Sequence, residues 1–252
     1  MTNYSVTIMT LNIAHGRSDG SHQLSQSEER IHKQLGAIAD LIKKHQSTIV
    51  TLQETDNTTF WSNYTDQTTL IAQKAALNWY VHSDHVDGLG IHYGTSIISQ
   101  FELTNAVSHT FAPTPPTFAK GFTLSTVQIN SKQVTDIVSL QLDFSKKSIR
   151  HRQINEMIAV LKSRNNPLII TGDFNNDWHA KNSIVQECVS ALQLKAFEPD
   201  TKKVSTFPTL GKRLDWILIS QDLSFESYKT LPDVVSDHYA VVASISLDPE
   251  KS

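Results

Sequence analysis

The feature that most constrains this chain is an apolar run that ends abruptly in polar residues. Residues 167–170 predict a strand buried on both faces, and Gly172 followed by Asp173 breaks that run. If the backbone stays extended, Asp173 and Asn175 leave it on the same side while Phe174 packs away. The end of a buried strand would then present a carboxylate and an amide to one point.

A turn rich in Asp and Asn that caps a following helix explains the same residues. Side chains of these types accept hydrogen bonds from backbone N–H groups two residues further on, so they favour turns and caps. The capped helix would begin near His179. The two interpretations are separated by whether other strand ends supply complementary groups.

Polar groups do stand at the ends of other predicted strands. They are Asn12 after residues 6–11, Glu54 after 48–52, Asp215 near the start of 214–219, and Asp237 and His238 before 239–247. Because sheets place their sites where strand ends meet, we expect these side chains to converge. Carboxylates with little histidine suit a hard cation such as Mg²⁺ or Mn²⁺ better than zinc.

The rest of the chain mixes helical and strand patterns. Helical periodicity marks residues 28–45, 67–77, 154–161 and 180–192, and strand patterns mark 79–86, 95–99, 103–111, 118–129 and 133–142. Ser25 and Glu28 resemble a capping box at the first helix. Short links between strands imply antiparallel pairing, so we predict two packed sheets flanked by helices.

Composition limits the class of protein. The 252 residues carry no linker-like segment, so we predict one domain over residues 1–252, and a net charge of −3 gives no bulk basic character for polyanions. Neither a secretory leader nor a membrane-spanning run is recognisable. The single cysteine, Cys188, falls in a helical pattern as a buried, inert thiol. We therefore expect a cytoplasmic protein, and a monomer.

Five short motifs follow one another along the chain: Leu11-Asn12, Leu52-Gln53-Glu54, Gly172-Asp173-Phe174-Asn175, Arg213-Leu214-Asp215-Trp216 and Ser236-Asp237-His238. Each is weak alone, but together they resemble the endonuclease/exonuclease/phosphatase superfamily of the deoxyribonuclease I type. The resemblance covers nearly the whole chain. It implies a four-layered α-β-β-α sandwich of two mixed, mostly antiparallel sheets, and metal-dependent hydrolysis of phosphoesters.

The resemblance also implies roles for single residues. Glu54 would bind Mg²⁺ or Mn²⁺, with Asn12 and Asp237 nearby. Asp173 and Asn175 would orient or deprotonate the attacking water, and Asn175 would also hold a phosphate oxygen.

A histidine and aspartate pair completes the implied site. Asp215 would align His238 towards the phosphoryl group, where the imidazole serves either as a general base or as a cationic clamp. The sequence does not choose between these two roles.

Gln141 departs from the family pattern. Many phosphodiesterase members carry a histidine at the equivalent strand position, and an amide can donate a hydrogen bond but not a proton. Gln141 is either a phosphate contact or a half-buried strand residue. Lys120, after a Pro-rich loop, is likewise either a substrate contact or a solvated lysine.

Further polar residues adjoin the motifs. His15, Asp56 and Asp177 fit a supporting role or ordinary turn polarity, and the basic cluster around Arg150 fits a phosphate contact or a solvated helix end.

The predicted activity leaves the substrate open. We predict a phosphodiesterase of the nuclease kind, and the alternative is a hydrolase of phospholipid head groups or small phosphoesters. A catalytically silent binding module on the same fold is a further alternative, because fold does not fix function.

Overall fold

The computed structural model describes residues 5–17, 27–130, 133–201 and 204–247. Within them the strands are β1 (Ser5–Asn12), β2 (Ile49–Asp56), β3 (Trp79–Gly88), β4 (Ile91–Ser99), β5 (Leu103–Thr110), β6 (Gly121–Asn130), β7 (Gln133–Gln141), β8 (Leu168–Asp173), β9 (Leu194–Ala196), β10 (Asp215–Ser220), β11 (Ser224–Thr230) and β12 (Val241–Ser246). The helices are α1 (Glu28–Lys44), α2 (Gln67–Ala75), α3 (Lys147–Leu161) and α4 (Ile184–Leu192).

The strands form two six-stranded sheets of similar design. The first sheet has the order β11-β12-β1-β2-β4-β3, and the second has the order β5-β6-β7-β8-β10-β9. The central pair of each sheet is parallel, β1 with β2 and β7 with β8, whereas the other described pairs are antiparallel. Helices α1 and α3 make the long crossovers that the parallel pairs require.

Three apolar layers hold four layers of secondary structure together. One cluster joins the first sheet to α1 and α2, and another joins the second sheet to α3 and α4. Between the sheets lies a third cluster, which includes Ile8, Ile97, Ile169 and Ile217. The predicted four-layered α-β-β-α sandwich is confirmed.

Two helices begin where a serine caps them. The hydroxyl of Ser27 accepts from the backbone N–H of Arg30 at 3.3 Å, so Ser27 caps α1, whereas the expected cap Ser25 lies outside the described residues. Helix α4 begins at Ile184, four residues later than predicted, because Asn182 has a left-handed φ of 53° and Ser183 is the cap.

Two strands were not predicted, and others are longer than expected, among them β4, which begins at Ile91 rather than at residue 95. The unpredicted strands β9 and β11 are edge strands, and edge strands lack the buried apolar run that marks a central one. Strand β2 continues through Glu54 to Asp56 rather than ending at residue 52. Among the described helices, none has both the length and the apolar character to cross a membrane.

A buried ion pair ties β7 to the chain after α3. Asp136 is fully buried, and Arg164 donates to it from Nε at 2.7 Å and from Nη2 at 2.9 Å. Thr126 and Asn166 donate to the same carboxylate. Burial raises the pKa of Asp136, but these hydrogen bonds outweigh it and hold the pKa below its usual 3.8.

We expect Arg164→Met to destabilise the protein by about 2 to 3 kcal/mol near neutral pH, because Asp136 would lose its charged partner. A carboxyl group with a lowered pKa contributes stability above its unfolded pKa and loses it as the pH falls through the folded value. The difference between parent and variant should therefore shrink in acid, below the usual value of 3.8.

Urea unfolding at about pH 7 and about pH 3.5 measures this difference. The control is Arg152→Met, which removes an exposed arginine of α3. An equal loss of stability at both pH values would show that packing, not charge, explains the effect.

Candidate functional site

A β-bulge aims Glu54 out of strand β2. Gln53 pairs with Thr95 of β4 and Thr55 pairs with Gly94, so Glu54 is an extra residue without a partner in the ladder. Its φ of 53° is left-handed, which turns its side chain away from the regular alternation. The carboxylate therefore stands in the middle of a strand, not at the strand end that the sequence indicated.

Gly94 makes room for this arrangement. Strand β3 is also irregular opposite Gly94, between Asp84 and Val86, so two bulged strands flank the glycine. A Cβ at Gly94 would lie 1.9 Å from the backbone oxygen of Ser83. Only glycine fits between the two strands.

We expect Gly94→Ala to cost about 3 kcal/mol of stability, because backbone rather than a flexible side chain must move. Gly36→Ala in α1 is the matched control, since a Cβ there meets nothing within 4 Å and alanine favours helix. Thermal unfolding of both variants measures the effect. A Gly94→Ala protein as stable as the parent would contradict the close approach.

Nitrogen donors surround the Glu54 carboxylate. Gln141 Nε2 donates to Oε1 at 2.6 Å, Lys120 Nζ lies 3.8 Å from the same oxygen, and His15 Nε2 lies 3.5 Å from Oε2. Burial raises the pKa of Glu54, but the positive charges of Lys120, His15 and His238 outweigh it and lower the pKa to about 2. Glu54 is therefore an ionised carboxylate at neutral pH.

Two supporting residues are more deeply buried than the sequence suggested. Asp56 is fully buried and accepts from His15 Nδ1 at 2.7 Å, so the interpretation as a solvated turn residue is wrong. His15 also packs edge-on against Trp61 and Tyr93. Lys120 is 6% exposed, which excludes the alternative of a solvated lysine.

Asp173 and Asn175 meet through a turn rather than an extended strand. Asn175 has a left-handed φ of 47°, and its backbone N–H donates to Asp173 Oδ1 at 2.8 Å. Its side-chain Nδ2 donates to Asp173 Oδ2 at 3.0 Å and to the carbonyl of Leu142 at 2.9 Å. Phe174 is fully buried, as expected. The Asx turn and the convergence of the two side chains thus coexist.

Asn12 joins this carboxylate from the other sheet. Its Nδ2 donates to Asp173 Oδ2 at 3.2 Å, and its Oδ1 accepts from the backbone N–H of Ala14 at 3.0 Å. Both polar atoms of the Asn12 amide are therefore engaged by the protein itself.

Asp215 and His238 form the predicted pair. His238 Nδ1 and Asp215 Oδ2 are 2.8 Å apart, and Phe207 packs against the imidazole with ring centroids 4.8 Å apart. Burial lowers the pKa of His238, but the charge of Asp215 and its hydrogen bond raise the pKa to about 10. Burial and the charge of Asp215 also raise the pKa of Asp173 to about 7.

A cleft of about 440 Å³ unites the exposed faces of these groups. Of the predicted residues, those that line it are Asn12, Glu54, Asp173, Asn175, Asp237 and His238. Asp215 lies behind His238, and Gln141 and Lys120 contact Glu54. Asp177 is outside the cleft lining and accepts from the backbone N–H of His179.

Sequence reasoning did not place several residues of the cleft wall. They are Phe144, Phe207, Leu210, Lys212 and Leu214, together with Arg150, which belonged to a basic cluster of uncertain role. Arg150 donates to the carbonyls of Asp143 and Phe144, both at 3.0 Å, and so turns into the cleft rather than into solvent. Apart from Leu214, which belongs to the Arg213-Leu214-Asp215-Trp216 motif, no motif marks these residues, because tertiary packing brings them to the cleft.

The donor set suits a hard divalent cation. Carboxylate oxygens of Glu54, Asp173 and Asp237 reach the cleft, and oxygen ligands are those that Mg²⁺ and Mn²⁺ prefer. Ligand atoms of Asp173, Asp215 and His238 lie within 4.8 Å of one another. Among the described residues Asp215 Oδ1 is buried without a hydrogen-bond partner, and Asp173 has a raised pKa. Burial and the negative charge of Asp215 raise the pKa of Asp173, and a cation bound in the cleft would lower it again.

Comparisons with known proteins identify the family. The model of the endonuclease/exonuclease/phosphatase family matches residues 9–238, so the chain belongs to that family. At the level of sequence, no curated protein gives a significant match.

Solved structures share the fold at low sequence identity. A family protein from Leptotrichia buccalis has a TM-score of 0.71 and 17% identity, covering 95% of this chain and 99% of its own. The mannosyl-6-phosphatase of Bacteroides thetaiotaomicron has a TM-score of 0.68 and 17% sequence identity, and the match covers 95% of this chain and 99% of that protein. The human nocturnin catalytic domain has a TM-score of 0.70 and 17% sequence identity, and the match covers 97% of this chain and 96% of that domain.

Proposed function

We propose that this protein hydrolyses phosphoester bonds with the help of Mg²⁺ or Mn²⁺, as a phosphodiesterase of the nuclease kind. The observation that supports this most is that three elements meet at one cleft. They are an ionised Glu54, an Asp173 whose pKa is raised to about 7, and the His238–Asp215 pair. These three elements supply a metal ligand, a proton acceptor and a cation. A silent binding module would not need them together.

Asp173 is suited to receive the proton of the attacking water. A general base works best when its pKa lies near the operating pH, and the pKa of Asp173 is raised to about 7. Two donors from Asn175 and one from Asn12 fix the direction of its carboxylate. No covalent nucleophile is required.

Asn175 acts on the water rather than on the phosphate. Both hydrogens of its amide are already committed, to Asp173 and to Leu142. The amide oxygen remains to accept from a water that Asp173 also contacts. The expected role of Asn175 as a phosphate donor would require one of these bonds to break.

His238 acts as a cationic clamp rather than a base. With its pKa raised to about 10, the imidazole stays protonated at neutral pH. Nδ1 is held by Asp215, so Nε2 is left to donate to a phosphoryl oxygen in the cleft. Arg150 adds a second cation to the same wall.

Glu54 and Asp237 are the groups that would hold the metal, which when bound neutralises charge on the phosphate oxygens. Gln141 keeps the Glu54 carboxylate in place through its 2.6 Å hydrogen bond. It serves as a positioning residue, and no proton for the leaving group comes from it.

A small phosphoester or a lipid head group is the alternative substrate to nucleic acid. The cleft wall carries Arg150, Lys212 and His238 as its cations, whereas tight binding to duplex nucleic acid rests on many Lys and Arg contacts to phosphates. The small number of cations is the observation that supports this alternative against a nuclease that binds duplex tightly.

The test is an activity screen with Mg²⁺ or Mn²⁺ over DNA, RNA, phospholipids, and small phosphate mono- and diesters. Asp173→Asn should lower kcat/KM by about 10²- to 10⁴-fold on any substrate found, because a general base is worth that much. Asp40→Asn on the exposed face of α1 is the matched control. Activity that survives Asp173→Asn would rule out the proposed base.

We expect Asp215→Asn to reduce kcat nearly as far as His238→Ala, because the imidazolium loses the charge that sustains it. The double variant should be little worse than either single variant, as residues that act as one unit are not additive. Steady-state kinetics of the four proteins gives the coupling. Fully additive losses would mean that the two residues act separately.

A further inference from the structure

Lys120 carries a buried charge at the proposed metal ligand. Its side chain is 6% exposed, and the ion pair of Lys120 in the described structure is the one with Glu54, at 3.8 Å. The ammonium also stands 5.7 Å above the ring of Tyr93. A buried ammonium is costly without a partner, so the Glu54 carboxylate stabilises it in the protein without ligands.

The two oxygens of Glu54 have different surroundings. Oε1 accepts from Gln141 at 2.6 Å and faces Lys120, whereas Oε2 faces His15 at 3.5 Å. The proposed metal and the Lys120 ammonium would therefore both depend on the Glu54 carboxylate. A divalent cation bound to Glu54 would lie within several ångströms of the ammonium, where the dielectric screening of water is weak.

We propose that Lys120 is an internal counter-ion that competes with the divalent cation for Glu54 and lowers the affinity of the site. This inference rests on the proposed function, which places the metal at Glu54. Lys120 is not among the residues that line the cleft, so its ammonium must change partners to meet an anion there, which the flexible four-carbon stem of lysine permits.

A phosphate anion in the cleft relieves the competition. The anion attracts the ammonium away from Glu54, and the carboxylate is then free to bind the cation more tightly. Because coupling between two ligands is reciprocal, metal and phosphate bind cooperatively. Lys120 thus links occupation of the metal site to the arrival of substrate.

Isothermal calorimetry of Mg²⁺ binding tests the competition without relying on activity. We expect Lys120→Met to tighten the Kd by about tenfold at about pH 8, where Glu54 is ionised in every variant. Lys120→Arg keeps the charge and should stay within about twofold of the parent. Lys74→Met, at an exposed lysine of α2, should change nothing.

The coupling is measured with dimethyl phosphate, a singly charged diester. At saturation it should tighten Mg²⁺ binding by a several-fold larger factor in the parent than in Lys120→Met, where only the direct attraction between metal and phosphate remains. Circular dichroism and thermal unfolding establish that each variant is folded.

The outcomes separate this inference from the proposed function. Equal or weaker Mg²⁺ binding by folded Lys120→Met overturns the competition alone. Mg²⁺ binding that survives Glu54→Gln, or that is absent from both parent and Lys120→Met, overturns the metal assignment and the competition with it. Binding by Lys120→Met but not by the parent supports the competition in its strongest form.

Discussion

Three hydrogen bonds between the two sheets define the site, and its chemistry depends on them. Asn12 of the first sheet donates to Asp173 of the second, Gln141 donates to Glu54 in the opposite direction, and His238 bonds to Asp215. In each bond an ionisable group of one sheet receives its partner from the other. Neither sheet alone could hold these charges away from water, because a buried charge needs a close, oriented partner. Packing of the sheets and assembly of the site are therefore one event.

The arrangement separates the pKa values of chemically similar groups. Glu54 is a partly buried carboxylate and Asp173 a fully buried one, yet the first has a pKa of about 2 and the second about 7. Burial raises both values. Lys120 and His15 reverse the effect at Glu54, whereas the charge of Asp215 adds to it at Asp173. An ionised carboxylate and one that titrates near neutral pH then stand in the same cleft, which is the separation of pKa values that the proposed metal-dependent hydrolysis would require.

Much of the fold, and several polar residues that line the candidate cleft, could be predicted from the sequence, because strand and helix periods are local signals. The apolar run before Asp173 marked the end of a buried strand correctly, and the polar side chains lie together as expected, although Glu54 reaches the cleft from within β2 rather than from a strand end. The predictions failed where the pairing of neighbouring strands and the packing of the sheets determine how a side chain is oriented and buried. The bulge at Glu54 depends on a glycine in the neighbouring strand, and the burial of Lys120 and Asp56 depends on which sheet covers them. Such facts are set by tertiary contacts that no short motif records.

The site retains polar groups that the fold itself does not satisfy. Within the described residues Asp215 Oδ1, Gln141 Oε1 and Arg150 Nε are buried without a hydrogen-bond partner. Each such atom costs about 1–3 kcal/mol of stability, a large share of what keeps a domain folded. If the proposed hydrolysis takes place here, charged and polar groups held in position before the substrate binds need no reorganisation during the reaction, and the lost stability is what that arrangement costs. The same argument applies to Lys120, because its buried ammonium beside Glu54 offsets part of the negative charge that Glu54, Asp173 and Asp215 bring close together in the folded chain.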